Sequence, residues 1–212
     1  MEDVQMGMSV AVTKDALNFQ ATMASAVING SLDKGQEMQQ NMARIDGLAA
    51  EGIGDGLVYS AARSTTRKTR IIAQGQQLLR LDEEEIVPPR PEESALLREK
   101  VLERLPGCGA LVLSDYGKGG LSHIVSMIAM ARDAGIPVLI DPKGDDYSRY
   151  RGATMLTPNR SELRQVVGSW RTEEELTAKA QGLRAELGLK YLLLTRSEEG
   201  MTLYFEGGQI TV

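Results

Sequence analysis

The sequence contains few of the residues that build disulfides, metal clusters or large aromatic surfaces. Its 212 residues include one cysteine, one histidine and one tryptophan, and aromatic residues make up only 4%. Cys108 therefore has no partner for an internal disulfide and supplies no metal cluster. His123 has no serine or cysteine partner in its sequence context, and we expect it to be structural or exposed.

Long apolar runs and a strong excess of one charge are also absent. No stretch of about 20 uninterrupted apolar residues occurs, so we expect no membrane-spanning helix. The N-terminus is acidic and lacks the charged-then-apolar layout of a signal peptide. The net charge of −5 argues against a general nucleic-acid binder. With 42% hydrophobic and 25% charged residues, the chain is predicted to be a soluble, cytoplasmic α/β protein.

Residues 1–42 differ in composition from the rest of the chain, because they are rich in methionine, alanine, glutamine and serine. Apolar groups at helical spacing predict an amphipathic helix over Met8–Ile28, ending near Asn29-Gly30. A second helix is predicted over Lys34–Ala50. The string MSVAVTKDALNFQA is similar to a family of small motility proteins. The alternative is an unrelated helical leader at a gene-fusion or reading-frame junction.

A small β lid is predicted over about 57–82. The runs 68–73 and 76–82 are separated by a glycine, which is typical of a β-hairpin or of two lid strands, and the run 57–62 precedes them. The proline-rich stretch 87–93 is predicted to be a linker that leads into a helix at Ser94–Leu105.

The second half of the sequence alternates short apolar runs with helical stretches. The apolar runs are 110–114, 137–141, 154–157 and 191–195. The helical stretches between them are 121–135, 160–168 and 172–187. This alternation predicts parallel strands buried on both faces, and hence a doubly wound, mostly parallel α/β sheet. The last residues read as an antiparallel hairpin that turns at Gly207-Gly208.

Four predicted strands end in polar, glycine-containing turns at the same edge of this sheet. The turns contain Asp115 and Lys118, Asp141 and Lys143, Thr157 to Asn159, and Thr195 to Ser197. Ligands of open α/β sheets bind beyond the carboxyl ends of the strands. The layout therefore indicates one crevice lined by carboxylates and lysines, suited to an anionic substrate with a metal ion.

The same strand ends carry a family resemblance. LVLSDYGKGGL, PVLIDPKGDDYSRYRGATMLTPNRSEL and LLLTRSEEGM closely resemble the kinase domain of the bifunctional heptose 7-phosphate kinases and ADP-heptose synthases. These enzymes are ribokinase-like (PfkB-type) carbohydrate kinases. TTRKTRIIAQGQQLLRLDEEE fits their lid region. The resemblance runs from about residue 44 to residue 212 and makes 43–212 a partial kinase domain.

The resemblance implies a reaction and its participants. ATP would donate its γ-phosphoryl group to the anomeric hydroxyl of D-glycero-β-D-manno-heptose 7-phosphate, giving the 1,7-bisphosphate used for ADP-heptose and lipopolysaccharide core biosynthesis. The implied cofactors are ATP and Mg²⁺, and the implied partner is a small sugar phosphate. The complete family member is expected to form a homodimer through the lid. No nucleic acid or membrane partner is implied.

The resemblance also implies roles for individual residues. Asn159 and Glu162 match the N-x-x-E motif that organises magnesium and the phosphates, with Glu162 as the metal residue. Thr195, Ser197 and Gly200 match a turn beside the nucleotide. The candidate substrate-binding residues are Lys68, Arg70, Gln77, Arg80 and Asp82 in the lid, and Asp115, Lys118, Asp141 and Lys143 at the strand ends.

The sequence departs from the family pattern at both ends. The catalytic base of the family lies in a later Gly-Ala-Gly-Asp loop, and this sequence stops at Val212 before that loop. We therefore expect no catalytic base in these residues and no turnover by the chain alone. The alternative function is a non-catalytic protein that binds nucleotide or pairs with another subunit. The run Gly52–Gly56 imitates the loop but precedes the lid, so it is read as an ordinary turn.

Two site assignments have simpler structural alternatives. Asn159 could be only the cap of the helix 160–168, with Glu162 at the third helical position. Asp141 and Lys143 could form only an ion pair that stabilises a turn.

Overall fold

The computed structural model describes residues 2–4, 9–13, 26–27, 58, 60, 67–73, 76–84 and 86–212. The chain divides into two compact units. The first unit consists of residues 1–7 and 20–100, and the second consists of residues 8–19 and 101–212.

Strands and helices alternate along most of the described chain. The strands are β1 (Glu2–Val4), β2 (Ser9–Thr13), β3 (Ala26–Val27), β4 (Arg67–Ala73), β5 (Gln76–Glu83), β6 (Ala110–Ser114), β7 (Val138–Asp141), β8 (Met155–Leu156), β9 (Tyr191–Thr195), β10 (Met201–Phe205) and β11 (Gly208–Thr211). The helices are α1 (Pro91–Arg104), α2 (Ile124–Asp133), α3 (Arg160–Val167) and α4 (Glu173–Leu187), with short 3₁₀ turns at Ser148–Tyr150 and Ser197–Glu199.

The first unit contains a four-stranded sheet in the order β3-β1-β4-β5. Its neighbouring strands pair antiparallel, and β4 and β5 form the predicted lid hairpin. Lys68 lies opposite Asp82 and Ile71 lies opposite Leu79 in this hairpin, and a bulge interrupts the register after Ile71. The sequence pattern of two short runs around a glycine therefore predicted the hairpin correctly.

The second unit contains a seven-stranded sheet in the order β11-β10-β9-β8-β7-β6-β2. The four central strands, β6 to β9, are parallel to one another, and the outer strands pair antiparallel. Helix α2 follows β6, and helices α3 and α4 follow β8. The predicted α/β class with a mostly parallel sheet and a C-terminal hairpin is confirmed.

The apolar runs form the core of the second unit, but the two faces of the central strands differ in burial. Alternate residues are buried, whereas Val112, Leu139 and Leu193, which lie between them, are partly exposed. The predicted burial on both faces is therefore complete on one face only. Leu111 and Leu113 in β6, Ile140 in β7, and Leu192 and Leu194 in β9 have no exposed surface. Each such side chain contributes roughly 1.5–3 kcal/mol by leaving water. Because β6 to β9 are parallel, their polar carboxyl ends lie at the same edge of the sheet.

The helix predicted over Met8–Ile28 is wrong for the described residues of that range. Ser9–Thr13 is a strand that pairs antiparallel with β6, and Ala26–Val27 is a strand that pairs with β1. Val10, Val12 and Thr13 are β-branched, which favours a strand, and pairing with β6 satisfies backbone groups that an edge would leave open.

Other predictions for the N-terminal half fall on residues outside the described set. These are the helix over Lys34–Ala50, its preceding turn, and most of the run 57–62. Val58 and Ser60, the described residues of that run, are not in a strand. In the described part of the chain, no helix has both the length and the apolar character that crossing a bilayer requires.

Candidate functional site

The N-terminus of α3 is closed by a reciprocal cap. The side-chain oxygen of Asn159 accepts a hydrogen bond from the backbone N–H of Glu162 at 3.0 Å. The Oε2 atom of Glu162 accepts one from the backbone N–H of Asn159, also at 3.0 Å. Pro158 precedes this cap and has no N–H to donate, but its carbonyl accepts a hydrogen bond from the Thr195 N–H at 3.0 Å. The capping geometry proposed as an alternative for Asn159 is therefore present.

The second carboxylate oxygen of Glu162 contacts Lys143. Lys143 Nζ lies 3.0 Å from Glu162 Oε1, and the side chains are 52% and 12% exposed respectively. Lys143 follows β7, so the ion pair joins the turn after β7 to the helix that follows β8. The structure thus brings together two predicted site residues. Lys143 forms its ion pair with Glu162, whereas the alternative interpretation had paired it with Asp141.

Asp141, the last residue of β7, adds a second carboxylate to this edge. Its Oδ2 accepts a hydrogen bond from Ser114 Oγ at 3.3 Å, which links the ends of β7 and β6. Partial desolvation and the negative charge of Glu162 raise the pKa of Asp141 above its ordinary value. A carboxylate held near another one attracts cations, so this edge favours a positively charged group or a metal ion.

Asp115 lies one residue after β6 and is only 5% exposed. Its Oδ1 accepts a hydrogen bond from the backbone N–H of Gly117 at 2.8 Å, and its Oδ2 accepts one from the hydroxyl of Tyr150 at 2.9 Å. Arg149 Nη2 lies 3.5 Å from the same Oδ2. Asp115 is therefore a buried, paired carboxylate that shapes the turn after β6.

Lys118 lies in the same turn, directly after Gly117. A side chain at Gly117 would begin 3.5 Å from Cγ of Lys143, and the backbone there has a φ of +69°. The turns after β6 and β7 thus lie within van der Waals distance of each other, and it is the positive φ that favours glycine at this position.

Thr195, Ser197 and Gly200 lie at the end of β9. Asn159 pairs with Thr195 in a parallel bridge, and the Thr195 N–H donates to the carbonyl of Pro158 at 3.0 Å. Ser197 has a φ of 54°, which is unusual for a residue other than glycine. The structure therefore places this turn next to the start of α3.

Gly200 has a structural requirement of its own. Its φ is +80°, and a Cβ atom there would collide with the backbone carbonyl of Val212. Met201 and Val212 exchange backbone hydrogen bonds beside it. Its conformation is thus needed to close the C-terminal hairpin, independently of any ligand.

Arg196 stabilises the turn after β9 through its side-chain hydrogen bonds. It was not among the predicted site residues. It donates two hydrogen bonds to Glu173 at 2.9 Å each and one to Glu199 at 2.8 Å. Arg160 also contacts Glu199, at 2.6 Å. The side chain of Arg196 is only 11% exposed, so these bonds hold the turn after β9 against the start of α4.

The lid candidates lie in the first unit. Arg80 donates to both carboxylate oxygens of Asp82, at 2.9 and 3.1 Å, and Lys68 Nζ lies 3.9 Å from Asp82. Arg70 lies directly opposite Arg80, and Gln77 pairs with Ile72 beyond the bulge. Residues 67–83 contain four basic residues and two acidic ones, which gives this hairpin a net charge of +2; the basic residues are Arg67, Lys68, Arg70 and Arg80, and the acidic ones are Asp82 and Glu83.

Tyr147 and Tyr150 were missed by the sequence analysis. They are 2% and 0% exposed, and their rings meet edge to face at 5.4 Å between centroids. In a chain with so few aromatic residues, two tyrosines three positions apart in the polar run DYSRYR are a signal of local burial. That signal could have predicted that the segment between Lys143 and β8 packs into the core through its two tyrosines.

The strand ends suit a hard divalent cation that keeps most of its own water. Oxygen ligands are available from Glu162 and Asp141, and the Glu162 oxygen already contacts one cation, the ammonium of Lys143. In the described residues no group of three or more His, Cys, Asp or Glu side chains forms a metal cage. Magnesium typically binds through one or two carboxylates plus waters and phosphate oxygens, so the donor set fits it.

Comparison with known proteins gives one family. The model of the family described as pfkB family carbohydrate kinase matches residues 20–212. The chain is 48% identical over 169 residues to the D-beta-D-heptose 7-phosphate kinase of Bordetella bronchiseptica, covering 78% of this chain and 53% of that protein. It is 46% identical over 192 residues to the bifunctional protein HldE of Aeromonas hydrophila, covering 91% of this chain and 39% of that protein. The chain thus spans about two fifths to about half the length of these curated relatives.

Solved structures of sugar kinases share the fold. Phosphofructokinase-2 from Escherichia coli in complex with fructose-6-phosphate matches with a TM-score of 0.63 and 16% identity, over 99% of this chain and 77% of that chain. Arabidopsis thaliana ribokinase complexed with ribose and ATP matches with a TM-score of 0.56 and 20% identity, over 79% and 56%. At these identities the likeness shows the fold alone, and it confirms the predicted ribokinase-like architecture.

Proposed function

We propose, because the chain belongs to the pfkB family of carbohydrate kinases, that it binds ATP and a sugar phosphate for phosphoryl transfer between them. Kinases of this family use ATP and typically a divalent metal ion. The observation that carries the proposal is the meeting of Lys143, Glu162 and Asn159 where β7 and β8 end. A cation, a carboxylate and a helix N-terminus converge there, as a bound triphosphate requires.

The proposed acceptor is D-glycero-β-D-manno-heptose 7-phosphate. The relative from Bordetella bronchiseptica carries the name of a heptose 7-phosphate kinase, and it is 48% identical to this chain over 169 residues. The proposed product is the 1,7-bisphosphate, formed on the anomeric hydroxyl. The pathway served would be the biosynthesis of ADP-heptose and the lipopolysaccharide core.

The residues at the strand ends would bind and orient the phosphoryl groups. The N-terminus of α3 carries a partial positive charge and favours phosphate oxygens. The Lys143 ammonium, 52% exposed, can leave Glu162 and contact a phosphate oxygen without unfolding any element. Thr195 and Ser197 border the same edge and are proposed to lie beside the nucleotide, with Gly200 keeping their turn closed. We assign no catalytic base among the described residues.

Mg²⁺ is the proposed metal, with Glu162 as its protein partner. Magnesium, when bound with ATP, would neutralise phosphate charge and polarise the transferred group. Glu162 and Asp141 would accept hydrogen bonds from the water around the metal. Glu162 Oε2 is held by the Asn159 N–H, which fixes the carboxylate, and Oε1 would become available to this water when Lys143 moves to a phosphate oxygen.

The lid residues are proposed to recognise the sugar and its 7-phosphate. The hairpin 67–83 has a net charge of +2, which favours an anion. An arginine can bind a phosphate with two parallel hydrogen bonds. Arg80 already presents such a paired geometry to Asp82. Gln77 can donate hydrogen bonds to sugar hydroxyls or accept them, and the Asp82 carboxylate can accept them.

The lid hairpin also has exposed apolar side chains, which support the proposed homodimer. Ile71, Leu79 and Leu81 are 44%, 49% and 49% exposed, and Ile71 faces Leu79 directly across the hairpin. Apolar side chains grouped on a two-stranded surface are costly in water. We propose that a second copy of the chain covers them.

The transfer is tested by ³¹P NMR with ATP, Mg²⁺ and the heptose 7-phosphate, using a protein extended beyond residue 212 through the Gly-Ala-Gly-Asp loop of the family, because residues 1–212 alone are expected to show no turnover. The expected result is a new phosphate signal on the anomeric carbon, formed in step with ADP. The control substrate is the same heptose without its 7-phosphate, for which we expect at least about tenfold lower kcat/KM, because the lid loses its anion. ADP formation that does not depend on the heptose phosphate contradicts the proposal.

A further inference from the structure

The hydroxyl group of Tyr150 connects two of the turns at the carboxyl edge of the sheet. It lies 2.9 Å from Oδ2 of Asp115 in the turn after β6, and it accepts a hydrogen bond from the backbone N–H of Lys143 at 3.1 Å in the turn after β7. The Lys143 carbonyl oxygen lies 3.0 Å from the same hydroxyl. The ring itself has no exposed surface, so water does not compete for these contacts.

The hydroxyl has a single proton, and its position follows from the acceptors. A carboxylate is a stronger acceptor than a backbone carbonyl, so Tyr150 donates to Asp115. Its oxygen remains free to accept from the Lys143 N–H. Asp115 is further held by the Gly117 N–H and lies near Arg149. The carboxylate therefore has a fixed position. Tyr150, bonded to this carboxylate, in turn holds the backbone of Lys143 in place.

We infer that Tyr150 is a positioning residue that places Lys143 for phosphate binding. The inference rests on the proposed function of Lys143 at the nucleotide site. The order of contacts is Asp115 to Tyr150, Tyr150 to the Lys143 backbone, and the Lys143 ammonium to Glu162. This series joins the ends of β6 and β7 and the start of α3. Loss of the Tyr150 hydroxyl breaks it at the middle and lets the backbone around Lys143 move.

Tyr147 provides a matched control in the same turn. Its ring is 2% exposed and packs edge-on against the ring of Tyr150. In the described part of the chain its hydroxyl has no hydrogen-bond partner. Removing one oxygen from either tyrosine changes the packing volume equally, but only Tyr150→Phe removes hydrogen bonds. A difference between the two variants therefore reports on the bonds and not on the rings.

The first test is hydrogen exchange of single backbone amides, measured by NMR without ligand. We expect Tyr150→Phe to speed exchange of the Lys143 amide about tenfold, since that N–H loses its acceptor. The Thr154 amide, which donates to Val138 within the sheet, should exchange as in the wild type. Tyr147→Phe should leave both amides unchanged. An unchanged Lys143 amide in Tyr150→Phe, or equal acceleration of both amides, overturns the inference.

The second test is the affinity for ATP in the presence of Mg²⁺, measured by calorimetry. Tyr150→Phe should weaken ATP binding about fivefold in the wild-type background. In a Lys143→Met background the same change should weaken it less than twofold, because the residue through which Tyr150 acts is gone. An equal loss in both backgrounds shows a general structural effect and overturns the inference.

The two tests separate this inference from the proposed function. If the wild-type protein does not bind ATP with Mg²⁺, the proposed nucleotide site is wrong, and the Lys143 amide still decides whether Tyr150 fixes that backbone. If the wild type binds ATP and Tyr150→Phe behaves as Tyr147→Phe, the nucleotide site stands and the positioning role of Tyr150 is wrong.

Discussion

Replacing Glu162 with glutamine tests the strand-end site with the smallest change of shape. Glutamine keeps one oxygen that can accept the N–H of Asn159, so the cap of α3 can survive. It loses the negative charge that pairs with Lys143 and that would order metal-bound water. The substitution therefore separates the helix cap from the proposed metal contact.

The structure sets the expected size of each effect. The Lys143 ammonium is 52% exposed, and such ion pairs contribute about 0–1 kcal/mol to stability because water screens them. We therefore expect Glu162→Gln to lower the melting temperature by no more than about 4 °C. A hydrogen bond to a charged group contributes about 1.5–3 kcal/mol, so the affinity for ATP with Mg²⁺ should fall at least about tenfold.

The assay is calorimetric titration with ATP, both with and without Mg²⁺. The expected result is that Glu162→Gln abolishes most of the gain in affinity that Mg²⁺ gives to the wild type. Binding of ATP without Mg²⁺ should be unchanged or tighter, since the variant frees Lys143 for a phosphate oxygen.

Glu175→Gln is the matched control at the start of α4. Glu175 has a similar capping arrangement, with its N–H donating to Thr172 Oγ1 at 3.2 Å and its Oε2 accepting from the Arg171 N–H at 2.7 Å. It should cost similar stability and leave the effect of Mg²⁺ intact. Equal Mg²⁺ dependence in wild type and Glu162→Gln would refute the metal assignment and leave Glu162 as a helix cap only.

Three further substitutions test the pKa of Asp141, the backbone conformation at Gly200 and the exposed apolar surface of the lid. Asp141→Asn should stabilise the protein at pH 7 but not at pH 3, because the raised pKa means that ionisation of Asp141 disfavours the folded state as pH rises above its ordinary value of 3.8; equal melting shifts at both pH values contradict this. Gly200→Ala should destabilise by about 1–3 kcal/mol through its positive φ and the collision with Val212, whereas Gly182→Ala, inside α4 with open space around it, should stabilise by up to about 1 kcal/mol in chemical denaturation. Leu79→Asp should shift sedimentation of the full-length protein towards the monomer, whereas Leu102→Asp, equally exposed at 49%, should not; a dimer unaffected by Leu79→Asp excludes pairing through the lid.

The architecture of the second unit could be predicted from the sequence because its central strands leave a clear pattern of short apolar runs. Runs such as Leu111 to Leu113 and Leu192 to Leu194 are short, apolar and bounded by turn residues, which indicates a parallel strand. The cap at Asn159 also follows from local sequence, since its partner is three residues away. The sequence pattern alone therefore predicts that the turns at the strand ends lie at one edge of the sheet.

Other features depend on contacts between distant parts of the chain. Lys143 and Glu162 are 19 residues apart, and their pairing exists only because β7 and β8 are neighbours. The bond between Tyr150 and Asp115 spans 35 residues and leaves no periodic signal. Ser9–Thr13 is a strand because it pairs with the edge of β6. This pairing outweighs the helical spacing of apolar residues over Met8–Ile28. In each case the deciding contact is made with a distant part of the chain.

The most direct test of the account is an NMR titration of ¹⁵N-labelled protein with ATP and Mg²⁺. The account predicts that the amide signals of Lys143, Asn159, Glu162 and Thr195 shift together with a single dissociation constant. Signals from the outer hairpin strand, such as Ile210, should not move. Saturating ATP that leaves the four strand-end signals unmoved, or that shifts a different surface instead, contradicts the claim that the nucleotide binds at this edge of the sheet.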